Sequence, residues 1–405
     1  MQEHRSAPLY FVVLLSVLAN AALRGSKVLV SLDAIELGAS AFTIGVIAAL
    51  FAVFPLLLAV QAGRISDRIG VHRPILLGAI CMSAGLGLPA VFGGLATLFL
   101  CPTLIGLGHV FLHVSTHNAI GSIGGRDERA RNFSVFSLGS SIAAFIGPSL
   151  AGVSIDTIGY RPAYLALAGC TAFAALLVLL FPRAMPDRTA EHEAPQGAST
   201  LDLLRDSALR RTLIMSGVTL TGIELFSFYL PIYGRSVGLS ASSIGLVLSA
   251  YAAAGFAVRL AMHGLARRYT ELGVLTGSLF IASAAYGLIP FLSQLPVLVL
   301  LAFMLGLGLG SAQPLTIMLT YDHAPKGRSG EALGMRVTVN KVTQIAVPLL
   351  FGGLGSAFGV PPVFWANAAF LLLGGVISAR DLQAGSRKRD NAPSSIDEAV
   401  KEDTK

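Results

Sequence analysis

The chain of 405 residues is 54% hydrophobic and only 13% charged, with a mean hydropathy of +0.72; a soluble domain carries about 25% charged residues. That balance excludes a soluble globular protein. The net charge of +7 is read as a consequence of membrane topology and gives no ground for a nucleic-acid partner.

Hydropathy predicts twelve transmembrane helices, near residues 8–30, 41–61, 74–92, 95–118, 133–155, 161–181, 211–233, 241–263, 271–292, 295–318, 331–355 and 361–380. Each is long enough for a ~30 Å hydrocarbon core, which takes roughly 20 helical residues. The expected class is an all-α multi-pass protein surrounded by membrane lipids. The first span, from Pro8, is too long for the apolar region of a signal peptide and is read as structure. Cys81, Cys101 and Cys170 all fall inside spans and read as small apolar packing residues. Of 29 Lys and Arg, 22 lie in the termini and the even-numbered connections, while the odd connections hold only Arg161 and Arg235. By the positive-inside rule both termini are expected in the cytoplasm, and the expected location is a bacterial inner membrane.

The loop after span two reads Gly63-Arg-Ile-Ser-Asp67-Arg68-Ile-Gly70-Val-His-Arg73. Its glycines suit a tight turn, and Asp67 can cap a helix N-terminus or pair with neighbouring arginines. The run resembles the cytoplasmic loop motif of the major facilitator superfamily. The resemblance implies that family's fold, two pseudo-symmetric six-helix bundles, and a latch in which the aspartate holds the halves outward-facing. It also implies a small-molecule substrate, no cofactor and a monomer.

Span four carries His109, His113 and His117 at four-residue spacing. They read as cavity-lining or proton-relaying groups, or as polar packing; three along one helix cannot all ligate one ion, so no metal site is expected. Span five contains Gly147-Pro148 and Gly152, similar to the glycine-proline motif of the family's antiporters. The proline bends the helix and the glycines permit close packing, which suits a hinge, or simply a kinked packing helix. Pro102 stands where those antiporters carry an arginine.

Residues 182–210 read as a cytoplasmic linker between an N-terminal bundle (1–181) and a C-terminal bundle (211–380), with 381–405 as a disordered tail. Residues 201–211 read either as a short amphipathic helix or as solvated linker. Sliding the chain by 200 residues aligns Gly38, Ser40, Ala41, Ile44 and Gly45 with Gly238, Ser240, Ala241, Ile244 and Gly245. It also aligns Gly106 and Gly108 with Gly306 and Gly308, and Pro148 and Gly152 with Pro348 and Gly352. Two halves repeated in parallel place a substrate site near the midplane, at their interface.

Ionisable groups inside spans are costly and mark function. Of 22 acids, only Glu224 sits well inside a span, thirteen residues past Arg211. A carboxylate whose hydration changes as the cavity opens to each side suits proton coupling. The 200-residue shift sets it opposite Arg24, so an Arg24–Glu224 pair is expected, with substrate or proton competing for it. Arg336, Asn340 and Gln344 recur every four residues on span eleven, with Lys341 at the margin. With Gln313 and Arg259 they form a cationic face suited to an anionic substrate; Arg336 alternatively snorkels toward the cytoplasmic end. Tyr229, with Phe226 and Phe228, is expected to supply apolar contacts. Glu224 and Arg24 are thus the expected proton-coupling pair, and His113, His117, Gln313, Arg336, Asn340 and Tyr229 the expected substrate contacts. No Walker-type loop appears, and no convergent catalytic set points to an enzyme. The sequence favours proton-coupled export of a small amphipathic or anionic compound, with import of an organic anion by proton symport as the alternative.

Overall fold

The computed structural model describes residues 3–123, 126–185, 205–325 and 328–390. Among them, twelve helices are long and apolar enough to cross a membrane: α1 (Glu3–Glu36), α2 (Ala41–Ile69), α3 (His72–Val91), α4 (Leu95–Ser122), α5 (Arg126–Ile158), α6 (Tyr160–Leu180), α7 (Ser207–Ser236), α8 (Ala241–Arg268), α9 (Glu271–Leu288), α10 (Leu295–His323), α11 (Ser329–Phe358) and α12 (Val360–Asp390).

Helices outrun the apolar spans where polar sequence carries the hydrogen-bond ladder onward. Thus α5 starts at Arg126 and α12 runs to Asp390, so the first ten residues of the expected tail are helical. Asp206 caps α7, its Oδ1 accepting from the amides of Ala208 (2.8 Å) and Leu209 (2.9 Å), which satisfies two donors that a helix start leaves open. Residues 207–211 therefore belong to α7, while 201–204 and 391–405 lie outside the described residues.

The repeat is visible in packing. α1 packs on α5, α2 on α4, and α3 on α4 and α6; α7 packs on α11, α8 on α10, and α9 on α10 and α12. The paired glycines explain themselves here. A side chain at Gly106 would run into the carbonyl of Phe51, and one at Gly306 into that of Tyr251; Gly108 and Gly308 face the carbonyls of Gly78 and Ser278 in the same way. Such close approach supplies the van der Waals contact that holds helices together in lipid. Gly38 and Gly238 turn at φ 74° and 80°, a region where glycine alone is free of steric cost. Ser40 and Ser240 then cap α2 and α8, accepting from the amides of Thr43 and Ser243 at 3.2 Å.

The two halves, α1–α6 and α7–α12, meet mainly through α2 on α11 and α5 on α8. Gly45 lies against the carbonyl of Pro348 and Gly352 against that of Ala41; in the mirrored pair, Gly245 lies against the carbonyl of Pro148 and Gly152 against that of Ala241. The hydroxyls of Ser149 and Ser249 are 2.7 Å apart. Asp156 accepts from the amides of Ala241 (3.2 Å) and Ser242 (2.8 Å), the Phe42 amide donates to Ser356 Oγ at 2.8 Å, and Arg235 pairs with Glu36 at 2.9 Å. All of these contacts sit toward the end of the molecule that carries the odd-numbered connections.

Candidate functional site

Between the halves lies a cavity of about 400 Å³, within the size range of small-molecule sites. Its roof is set by Pro148 and by the layer of Lys27 and Glu224. From there its walls descend through Arg24 and Asn20 on α1, His109 and His113 on α4, Arg259 on α8 and Gln313 on α10, toward the end that carries the even-numbered connections.

Glu224 is the centre of a hydrogen-bonded chain. Lys27 Nζ donates to its Oε2 at 3.2 Å, Gln344 Nε2 donates to its Oε1 at 3.3 Å, and Lys341 Nζ donates to Gln344 Oε1 at 3.0 Å. Lys27 belongs to one half and the other three residues to the second. With side chains 33% and 13% exposed, the Lys27–Glu224 pair sits in a cavity wall where desolvation makes the loss of either partner costly.

The expected Arg24–Glu224 pair is corrected by this geometry: the cation on Glu224 is Lys27. The two basic residues are three apart on one helical face, so both reach the cavity. Arg24 is exposed on its wall and makes no hydrogen bond or ion pair among the described residues.

Of the expected substrate contacts, the structure brings His113 and Gln313 to the cavity, together with Gln344, Lys341 and Arg259. Arg336 is turned away. Only 5% exposed, its Nη2 donates to Thr316 Oγ1 (3.0 Å) and to the Gln313 carbonyl (3.2 Å), clipping α11 to α10. Asn340 accepts from Ser216 Oγ at 3.1 Å and is spent on α7. His117 lies among Phe133 and Phe136, its Nδ1 2.8 Å from the His113 carbonyl. Tyr229 is fully buried in the C-terminal half against Phe228 and Phe364. A four-residue repeat marks a face of a helix without saying whether that face meets the cavity or a neighbouring helix. The three histidine rings do form a stack, with centroids 5.0 Å and 4.2 Å apart, and His109 Nε2 lies 3.4 Å from Asn20 Oδ1. Sequence reasoning missed Lys27, Asn20 and Tyr251 as wall residues. Lys27 carried a signal, being the second cation inside span one.

The loop motif also differs from expectation. Gly63 is within α2, and only Gly70, at φ 84°, makes the turn. Among the described residues Asp67 caps no helix N-terminus; its Oδ1 accepts from Asn118 Nδ2 at 3.1 Å, within the same half. Arg68 and Arg73 are exposed. In the span-five motif, Gly147 packs on the Ala21 carbonyl of α1, whereas Pro148 and Gly152 belong to the contact with α8. The proline-centred segment is thus part of the seal between the halves.

Comparison with known proteins follows the same lines. A family profile described as Major Facilitator Superfamily matches residues 9–348 and 212–401. The chain is 24% identical over 325 residues to YuxJ of Bacillus subtilis, an uncharacterized MFS-type transporter, covering 77% of this chain and 81% of that protein. It is 22% identical over 335 residues to the quinolone resistance protein NorA of Staphylococcus aureus, covering 82% and 85%. Among solved structures it resembles a bacterial homologue of the human lysosomal transporter Spinster, in an inward-facing and unoccupied conformation, with a TM-score of 0.77 at 15% identity over 93% of this chain and 97% of that one. A variant of the nucleoside transporter NupG matches with a TM-score of 0.77 at 13% identity, over 92% and 99%. These structural likenesses speak for the fold.

Proposed function

The chain belongs to the Major Facilitator Superfamily, and we propose that it exports a small amphipathic anion in exchange for protons, working as a monomer by alternating access across a bacterial inner membrane. The observation that carries this reading is Glu224, a half-buried carboxylate tied across the two halves to Lys27. With both termini in the cytoplasm by the positive-inside rule, the seal is extracytoplasmic and the cavity lies on the cytoplasmic side.

The tie holds this inward-facing form. An anion entering from the cytoplasm takes Lys27, leaving Glu224 to Gln344, and so frees the halves for the outward turn. Once the far side opens, the anion leaves and a proton takes Glu224; the return ends as that proton passes to the cytoplasm and Lys27 re-forms the tie. Export is supported by the likeness to NorA, whose name is that of a resistance protein, and by the span-five motif.

A second reading, proton symport with an imported anion, is favoured by one observation. Protonating Glu224 leaves Lys27 unpaired beside Arg24, Lys341 and Arg259, and an anion then binds better with the proton than without it.

The test is transport of weak organic acids and amphipathic dyes by inverted vesicles under an imposed pH gradient, wild type beside Glu224→Gln. Export predicts gradient-dependent accumulation that the variant abolishes. Accumulation unaffected by Glu224→Gln removes the coupling role. Uptake by intact cells, with protons moving alongside the anion and none accumulated in inverted vesicles, assigns symport.

A further inference from the structure

We infer that Arg24 of α1 and Arg259 of α8 form a clamp between the halves for a doubly charged anionic group, so that the cargo is a dianion with an apolar body, such as a phosphate monoester or a dicarboxylate. This rests on the anion-transporter reading above and narrows its substrate class.

The cavity wall holds four fixed cations, Arg24, Lys27, Arg259 and Lys341, against one acid, Glu224. Glu224 is matched by Lys27, and Lys341 is held by a neutral acceptor, Gln344. Arg24 makes no hydrogen bond or ion pair among the described residues. Arg259 makes a single one, from Nε to the Gly310 carbonyl at 3.4 Å, which leaves its terminal nitrogens free. Arg24 lines the cavity from one half and Arg259 from the other, with Glu224 on the same wall.

Four cations facing a protein cavity against a single acid, itself bonded to Lys27, leave the arginines under-compensated, which is costly. A ligand that neutralises only one of them leaves most of that cost in place. Each guanidinium is a rigid fork suited to two oxygens of a carboxylate or phosphate; two forks from opposite sides match a group, or a pair of groups, carrying two charges. Phe51, Leu220, Phe256 and Leu309 line the same cavity and offer an apolar surface to the rest of the molecule.

The experiment compares benzoate, phthalate and phenyl phosphate, which share one ring and differ in charge, by the thermal stabilisation each gives the purified full-length transporter. Dioctanoyl phosphatidate is added as a lipid-borne form of the same phosphate group. Expected is roughly tenfold or greater preference for the two dianions over benzoate. That preference falls to the benzoate level in Arg24→Gln and Arg259→Gln, and in part in Arg24→Lys and Arg259→Lys, which keep the charge but lose the fork. Tighter binding of phosphatidate with the same arginine dependence assigns the clamp to a lipid headgroup, and weaker binding to a soluble cargo; both outcomes support it. Equal affinity for all three ring compounds, failure of the dianions to bind, or a dianion preference that survives both glutamine variants overturns it. The assay needs no proton gradient. Selectivity lost beside intact Glu224-dependent transport therefore sinks this inference alone, and selectivity kept in a protein indifferent to Glu224→Gln sinks the coupling reading alone.

Discussion

Arg336 is bonded to Thr316 and Gln313 on α10 and barely exposed, so its truncation to alanine strands buried acceptors and costs about 1–3 kcal/mol. The expected outcome is a lower unfolding temperature in detergent, with substrate affinity unchanged in the molecules that remain folded. Tyr229 presents the opposite case. Its hydroxyl is buried with no hydrogen-bond partner, and Tyr229→Phe removes a group that gains nothing from burial. Stability should hold within about 0.5 kcal/mol or rise, by the same thermal measurement. Glu224 was legible in the sequence because a lone acid in an apolar span has few structural reasons to exist. Its partner was not. The 200-residue shift pairs backbones, and Arg24 lies opposite Glu224 by that rule; which of two cations on one helical face bonds the carboxylate is decided by side-chain reach across a packed interface. Arg336 and Asn340 failed for a related reason: α11 shows α7 and α10 the polar groups that its periodicity displays.

At the level of helices, the seal is made of backbone against backbone. A methyl group at Gly245 would meet the Pro148 carbonyl oxygen at 2.5 Å, where neither atom has freedom to yield. Overpacking of this kind costs about 1–3 kcal/mol, and the cost applies only while α5 and α8 are together. Gly245→Ala should therefore shift the population away from this form by about tenfold, read as a longer distance between spin labels at Leu37, just past α1, and Ser236, at the end of α7. Ser149→Cys with Ser249→Cys supplies the converse, since their hydroxyls are 2.7 Å apart. Oxidation should lock the halves and stop transport, and reduction should restore it. The sequence repeat announced these positions as equivalent pairs. It did not announce that they face the other half, because self-similarity reports a shared fold and carries no information on which surfaces the two copies turn toward each other.

For the molecule as a whole, the number of spans, the parallel repeat and the family were readable from hydropathy, from the offset of 200 and from the loop after span two. The conformation was not. Both forms of an alternating-access protein are written in one sequence and differ by little free energy, so only the packed structure tells which end is closed. The ends of the helices were likewise hidden where charged sequence extends a helix past the lipid, as in α5 and α12.

The clamp proposed for Arg24 and Arg259, which line one cavity from the two halves, bears finally on where the work comes from. Moving one charge through a membrane potential is worth about 2.3 kcal/mol per 100 mV, so a cargo of two negative charges leaving a cell that is negative inside gains about 4.6 kcal/mol before any concentration difference is counted. Bringing the same cargo in would first have to overcome that sum, which two protons per molecule just cancel, leaving the pH gradient alone to drive uptake. For the proposed exchange of a dianion against protons, voltage and acidity outside the cell would act in the same outward direction on the cargo.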